Sequence, residues 1–218
     1  MKLRVWDLPT RVFHWSFAAA VTAAIVSAKV EAFDWHFRFG YAALALLAFR
    51  LVWGVVGPRY ARFAGFVAAP ARALAYLRGA PHDAPGHNPL GAWSVLALLV
   101  IVGVQAVTGL FTSDDVMASG PLIDTVASGT ADLLGRLHRF NATTVYAIVA
   151  LHVGAVVFYA RVKRKPLVPA MLTGDAEVAM AAPPARDDAL VRLGALALLA
   201  ACSAGVWWLA TLLPASAG

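Results

Sequence analysis

Five stretches of this chain are apolar for long enough to cross a bilayer, and no other feature restricts its fold as strongly. They run at approximately 12–30, 37–57, 91–111, 138–160 and 190–213. About 20 helical residues cover the roughly 30 Å of hydrocarbon in a membrane. Inside lipid the backbone must bond to itself, which leaves helices or closed barrels, and runs this long and continuous are helical. Charge is scarce to match, with 14% of the 218 residues charged, against about 25% in soluble domains. The expected fold is an all-α membrane protein: a four-helix transmembrane bundle, a fifth C-terminal transmembrane helix and a short interfacial amphipathic segment. Lys2, Arg4 and Arg11 ahead of the first run imitate a signal peptide, but four more spans follow, and the first is read as retained.

The net charge of +6 raises the question of nucleic acid, and the placement of the charges answers it. Segments 1–11, 50–90 and 161–192 carry 14 of the 18 Lys and Arg. The alternate segments, 29–38 and 112–139, carry Lys29, Arg38, Arg136 and Arg139 with six acids, Glu31, Asp34, Asp114, Asp115, Asp124 and Asp132. That alternation is the positive-inside pattern of a multi-pass protein with a cytoplasmic N-terminus and, after five crossings, a periplasmic C-terminus. No basic stripe is left over for nucleic acid. Cys202 is the sole cysteine, so intrachain disulfides, thiolate metal clusters and covalent C-x-x-C-H haem attachment are excluded, and it reads as a packing residue.

Pro9-Thr10, Gly57-Pro58 and the stretch from Arg161 to Pro166 are start and stop signals for the spans. "RYARFAGFVAAPARALAYLRG" (59–79) interleaves four arginines with Phe63, Phe66, Leu74, Tyr76 and Leu77 and breaks at Pro70, as an element lying at headgroup level does. These signals divide the chain into a membrane domain over 1–174, a cytoplasmic linker over 175–189 and the fifth span at 190–213. "APHDAPGHNPL" (80–90) reads as a loop, with His82 and His87 solvated.

Four further histidines are harder to dismiss. His138 and His152 lie fourteen residues apart with no charged residue between Arg139 and Arg161. On a helix that interval is about 21 Å of rise and only about 40° of rotation, so both face the same way at different depths. His14 stands at the inner end of the first span and His36 at the outer end of the second. By level, His36 pairs with His138, and His14 with His152. Ionisable side chains at membrane depth usually face the bundle interior and mark function. Two stacked bis-imidazole sites without acid or thiolate fit haem iron better than zinc, which takes four ligands at one point.

Haem is largely apolar with charged propionates. Small residues let it approach the backbone, and Gly40, Ala43, Gly103, Ala106 and Gly154 are placed to do so. Arg11, Arg136 and Arg139, within a turn of the proposed ligands, are the candidate propionate partners. Gln105, Thr108, Asn141 and Tyr146 are polar groups within spans that suit either a quinone headgroup or a neighbouring backbone.

Several motifs together resemble the bacterial cytochrome b561 family, including the b-type cytochrome subunits of nickel-iron hydrogenases. They are "VWDLPTRVFHW", "TGLFTSDDV...GPL", "LHRFNAT", "ALHVGAVVFY" and "KRKPLVPAMLTG", spread over roughly residues 3–174. The resemblance implies a four-helix di-haem b core with His14, His36, His138 and His152 as ligands. It implies an inner-membrane protein moving electrons between ubiquinone or menaquinone and a periplasmic c-type cytochrome, dehydrogenase or hydrogenase. The acidic outer loop, with Asp114, Asp115, Asp124 and Asp132, suits docking of a basic partner. Some family members resemble superoxide oxidases, which makes a stand-alone superoxide:quinone oxidoreductase the second reading.

Overall fold

A computed structural model of the chain describes residues 1–113 and 119–212. In chain order its elements are β1 (Lys2–Arg4), α1 (Leu8–Lys29), α2 (Phe33–Val56), α3 (Phe63–Phe66), α4 (Pro70–Leu77), α5 (Pro89–Gly109), a 3-10 turn (Ile123–Thr125), α6 (Ser128–Arg161), α7 (Leu167–Thr173), β2 (Asp175–Glu177) and α8 (Ala189–Leu212). Five of the helices, α1, α2, α5, α6 and α8, are long and apolar enough to span a membrane. They coincide with the five expected spans, and the all-α membrane fold stands. The interfacial segment forms α3 and α4, broken where Pro70 opens the second.

Contacts divide the chain into two units. The first comprises Met1–Phe13, Arg50–Leu98 and Ile148–Leu196; the second comprises His14–Phe49, Leu99–Ala147 and the chain from Ala197 onward.

The first unit is organised around the N-terminus. β1 pairs antiparallel with β2, Leu3 opposite Ala176, and Leu3, Val5, Trp6, Ala170 and Val178 bury a small apolar cluster. Gly174 ends α7 in the left-handed conformation (φ 89°), and its carbonyl accepts from both Val5 N (2.9 Å) and Trp6 N (3.0 Å). A Cβ there would lie 2.6 Å from the Trp6 carbonyl oxygen, so only glycine fits. Asp7, fully buried, caps α1: its Oδ1 accepts from Thr10 N and from Trp53 Nε1, and its Oδ2 from the Thr10 hydroxyl.

The segment expected to be a linker is therefore structured. Beyond β2, Ala185 N donates to the Arg4 carbonyl. Asp187, 7% exposed, accepts from Arg4 Nη1, Leu8 N and Arg192 Nε, with Arg11 Nη2 at 3.9 Å. The acids within it, Asp175 and Asp187, pair with Arg4. His87 is also a correction. It packs against Trp6 (ring centres 4.7 Å) and Phe66 (4.5 Å) rather than lying in solvent. His82 is half-buried, 6.2 Å from the Tyr76 ring. For His87 a partner remote in sequence, Trp6, decides, and a loop motif does not reveal it.

In the second unit, α1 gives way to α2 through Glu31, which adopts φ 59° while Ala32 N bonds back to the Ser27 carbonyl. The tight connection starts α2 at Phe33, so His36 lies in its first turn. The fourth span is longer than expected. α6 begins at Ser128, and its 34 residues place His138 eleven positions in rather than at the start. Hydropathy marks the lipid-compatible part of a helix, whereas backbone hydrogen bonding continues through the more polar "SGTADLLGRL".

Candidate functional site

The second unit contains a partly open cavity of about 340 Å³ lined by α1, α2, α5 and α6. The volume falls within the roughly 300–1,000 Å³ range of cofactor and ligand sites. Its wall is mostly apolar: Val21, Ile25, Phe33, Phe37, Val102 and Leu110 among others. Two imidazoles, His36 from α2 and His138 from α6, face into it. Their ring centres are 6.2 Å apart with planes at 84°. With metal–nitrogen bonds of about 2 Å, imidazoles on opposite sides of one ion have centres roughly 6 Å apart.

Each ring is held by a backbone carbonyl of a neighbouring helix. His36 Nδ1 lies 2.8 Å from the Ala24 carbonyl oxygen on α1, and His138 Nδ1 lies 3.0 Å from the Gln105 carbonyl oxygen on α5. A carbonyl only accepts, so both Nδ1 atoms carry a proton and Nε2 is the nitrogen left to reach a metal. A carbonyl on Nδ1 is the partner that metal-ligating histidines commonly have; His138 Nε2 itself lies 3.1 Å from the Gln105 amide nitrogen, which a metal there would displace. The donor set, two imidazoles with no carboxylate or thiol among the described lining residues, fits haem iron.

Around His138 the polar groups form a small network. The Gln105 amide nitrogen is 3.1 Å from His138 Nε2, and Asn141 Nδ2 donates to both Gln105 Oε1 and the Ile101 carbonyl, each at 2.9 Å. The Thr108 hydroxyl donates to the Val104 carbonyl and lies 3.3 Å from His138 Nδ1, whose proton it shares as acceptor. Of the four polar groups read from the sequence as headgroup or backbone partners, Gln105, Thr108 and Asn141 thus position a ligand or brace α5 against α6. Tyr146 lines the cavity beneath Lys29, whose Nζ is 5.3 Å from the ring centre.

Among the small residues, Gly40, Ala43 and Ala106 line the cavity, and a Cβ on Gly40 would meet nothing within 4 Å. Gly103 instead lets α5 approach α2, since a Cβ there would sit 3.2 Å from Leu47. Gly154 lies in the first unit with open space about its Cα. The sequence reading missed Gly109, where a Cβ would lie 3.0 Å from His138 Cε1. Its signal was a glycine on α5 one turn past Gln105, indistinguishable in sequence from any other span glycine. Gly109→Ala is expected to displace the His138 ring by a few tenths of an ångström. The haem recovered per chain should then fall, measured by pyridine haemochrome against protein.

Both Arg136 and Arg139 are exposed on α6, and of the two only Arg139 lines the cavity. Arg11, in the first unit, donates to the Leu172 carbonyl at 2.6 Å. His14 is half-buried on α1 in the second unit, its ring 5.0 Å from that of Trp15; His152 is half-buried on α6 in the first unit. Asp124 and Asp132 are exposed, while Asp114 and Asp115 lie outside the described residues.

The family model for prokaryotic cytochrome b561 matches residues 5–174. The chain belongs to that family. It is accordingly a multi-pass membrane protein of a prokaryotic type, a haem b-binding cytochrome of transmembrane electron transport. The match stops where Gly174 closes α7, so β2 and α8 lie beyond it. Searches of curated proteins and of solved structures found no match.

Proposed function

We propose that this cytochrome carries two b haems, one between His36 and His138 and one between His14 and His152. Through them it passes electrons between the membrane quinone pool and a periplasmic redox protein. The observation that supports this best is the imidazole pair 6.2 Å apart in an apolar cavity, each ring with Nδ1 committed to a carbonyl. When bound, haem supplies reversible one-electron chemistry at its iron. The chain's own residues hold the rings in one tautomer, exclude water with an apolar wall and present Arg139 for a propionate. Arg11 and Arg136 are the weaker propionate candidates, because Arg11 is engaged by Leu172 and Arg136 is not part of the cavity lining. The second haem rests on the interval of fourteen residues on α6 and on His14 at the matching depth. Residues 1–174 form the haem-binding domain, oriented in the bacterial inner membrane with the N-terminus cytoplasmic.

The purified chain is expected to show sharp b-type bands on reduction, with about two haems per chain and two components in a potentiometric titration. Quinol addition should reduce them. A single component, or one haem per chain in fully loaded protein, overturns the two-haem reading.

A further inference from the structure

Thr108 and Gly109, the last two residues of α5 and the first two of the "TGLF" motif, lie against one edge of the His138 ring. A Cβ on Gly109 would come within 3.0 Å of Cε1, and the Thr108 hydroxyl oxygen is 3.3 Å from Nδ1. One turn back, the Gln105 carbonyl oxygen lies 3.0 Å from the same nitrogen. A single turn of α5 thus fixes that edge of the imidazole.

Thr108 is buried, at 4% exposed, and the destination of its proton decides what it offers the ring. It donates to the Val104 carbonyl at 2.6 Å, the bond to residue i−4 that a threonine inside a helix commonly makes. With that proton committed, the oxygen has only lone pairs to turn toward Nδ1. The Nδ1 proton of His138 therefore meets two acceptors, the Gln105 carbonyl and the Thr108 hydroxyl. His36 differs. Among the described residues its Nδ1 meets one acceptor, the Ala24 carbonyl at 2.8 Å. Both carbonyls belong to the backbone and are present whatever the side chain. The Thr108 hydroxyl is the Nδ1 partner that the sequence selects.

We propose that Thr108 is a positioning residue acting through His138: as second acceptor of the Nδ1 proton, its hydroxyl oxygen makes that imidazole a stronger electron donor and lowers the reduction potential of the haem held between His36 and His138. This rests on the reading of those two histidines as haem ligands. The sign follows from charge. An acceptor on Nδ1–H draws the proton away from the ring and raises the basicity of Nε2. A more basic ligand favours ferric iron, which carries one more positive charge than ferrous, so the reduced form is disfavoured.

The test is a potentiometric titration of the full chain in detergent, with H138A identifying the outer component by its disappearance. T108V keeps the branched shape and removes the oxygen. It should raise the midpoint of the outer component while the other keeps its own. At a fixed ambient potential the outer ferrous-to-ferric ratio should increase about two- to fivefold, half to all of the net contribution of one neutral hydrogen bond. T108S, which retains the hydroxyl, should titrate as the parent does. Should T108V lose the outer haem, T108A decides in its place, and a raised midpoint there supports the proposal. An outer midpoint unchanged or lowered in the variant that retains the haem, an equal shift of both components, a T108S protein that titrates as T108V does, or loss of the outer haem in both T108V and T108A would each overturn it. An H138A protein that keeps every component instead defeats the reading of His138 as a ligand, whatever Thr108 does.

Discussion

Replacing His138 by alanine is expected to cut the haem content of the purified protein from about two per chain to about one, with the b-band on reduction falling by about half. The loss should be all-or-none at that site, because His36 cannot hold the iron from one side against water entering the space left by the missing ring. Apart from His36 and His138, the described lining of the cavity offers an apolar wall and Arg139 but no other imidazole. His36→Ala should give the same result, and the double variant should be no worse than either alone, since both act on one iron. His87→Ala, which removes a ring packed on Trp6 and Phe66, should leave both haems in place. A His138→Ala protein with an unaltered spectrum would remove the basis for the outer site.

The second large effect concerns stability. Asp187 ties the start of α8 to the N-terminal strand and to the first residue of α1 through Arg192, Arg4 and Leu8 N. Asp187→Asn keeps the volume but removes the charge that these donors share. Breaking a fully buried pair costs roughly 3–5 kcal/mol, while exposed pairs contribute less than about 1 kcal/mol. Asp187 is buried, but Arg4 and Arg192 are 34% and 47% exposed. We therefore expect a cost of about 1–2 kcal/mol, read as a lower thermal midpoint in detergent with the haem bands intact.

The same carboxylate sets a pH dependence. Burial pushes the Asp187 carboxyl up, but the hydrogen bonds from Arg192, Leu8 N and Arg4 outweigh it and hold it below its ordinary value. A group depressed in the folded state contributes stability above its unfolded value and loses it as pH falls through the folded one. Thermal stability should thus be flat at neutral pH and decline below about pH 4. In Asp187→Asn that part of the decline should vanish.

The five spans were legible in the sequence because hydropathy and helical periodicity are local properties. A run of 20 apolar residues can do little else, and an interval of fourteen residues fixes direction on any helix. The outer pair, His36 and His138, was legible for the same reason. The partners that orient those rings were not. Ala24 and Gln105 act through backbone carbonyls, which every residue has, and only the approach of α1 to α2 and of α5 to α6 selects them. Gly109 and Gly103 likewise differ in role only through the helix each one faces. His87 was misjudged because Pro and Gly around it mark a loop, while burial depends on Trp6, some eighty residues away. The pairing of β2 with β1 was not legible for a related reason: short strands joining chain-distant segments leave no periodic signal.

The early start of α6 bears on how the outer imidazole responds to a change of electron count. Helix ends fray, and a side chain on a first turn drifts when the charge beside it changes. His138 is preceded by nearly three complete turns of hydrogen-bonded backbone. An imidazole seated that deep in a continuous rod shifts little between oxidation states. If His138 holds a haem as proposed, its half of the site is the fixed one, whereas His36, in the first turn of α2, is the half able to adjust to each electron.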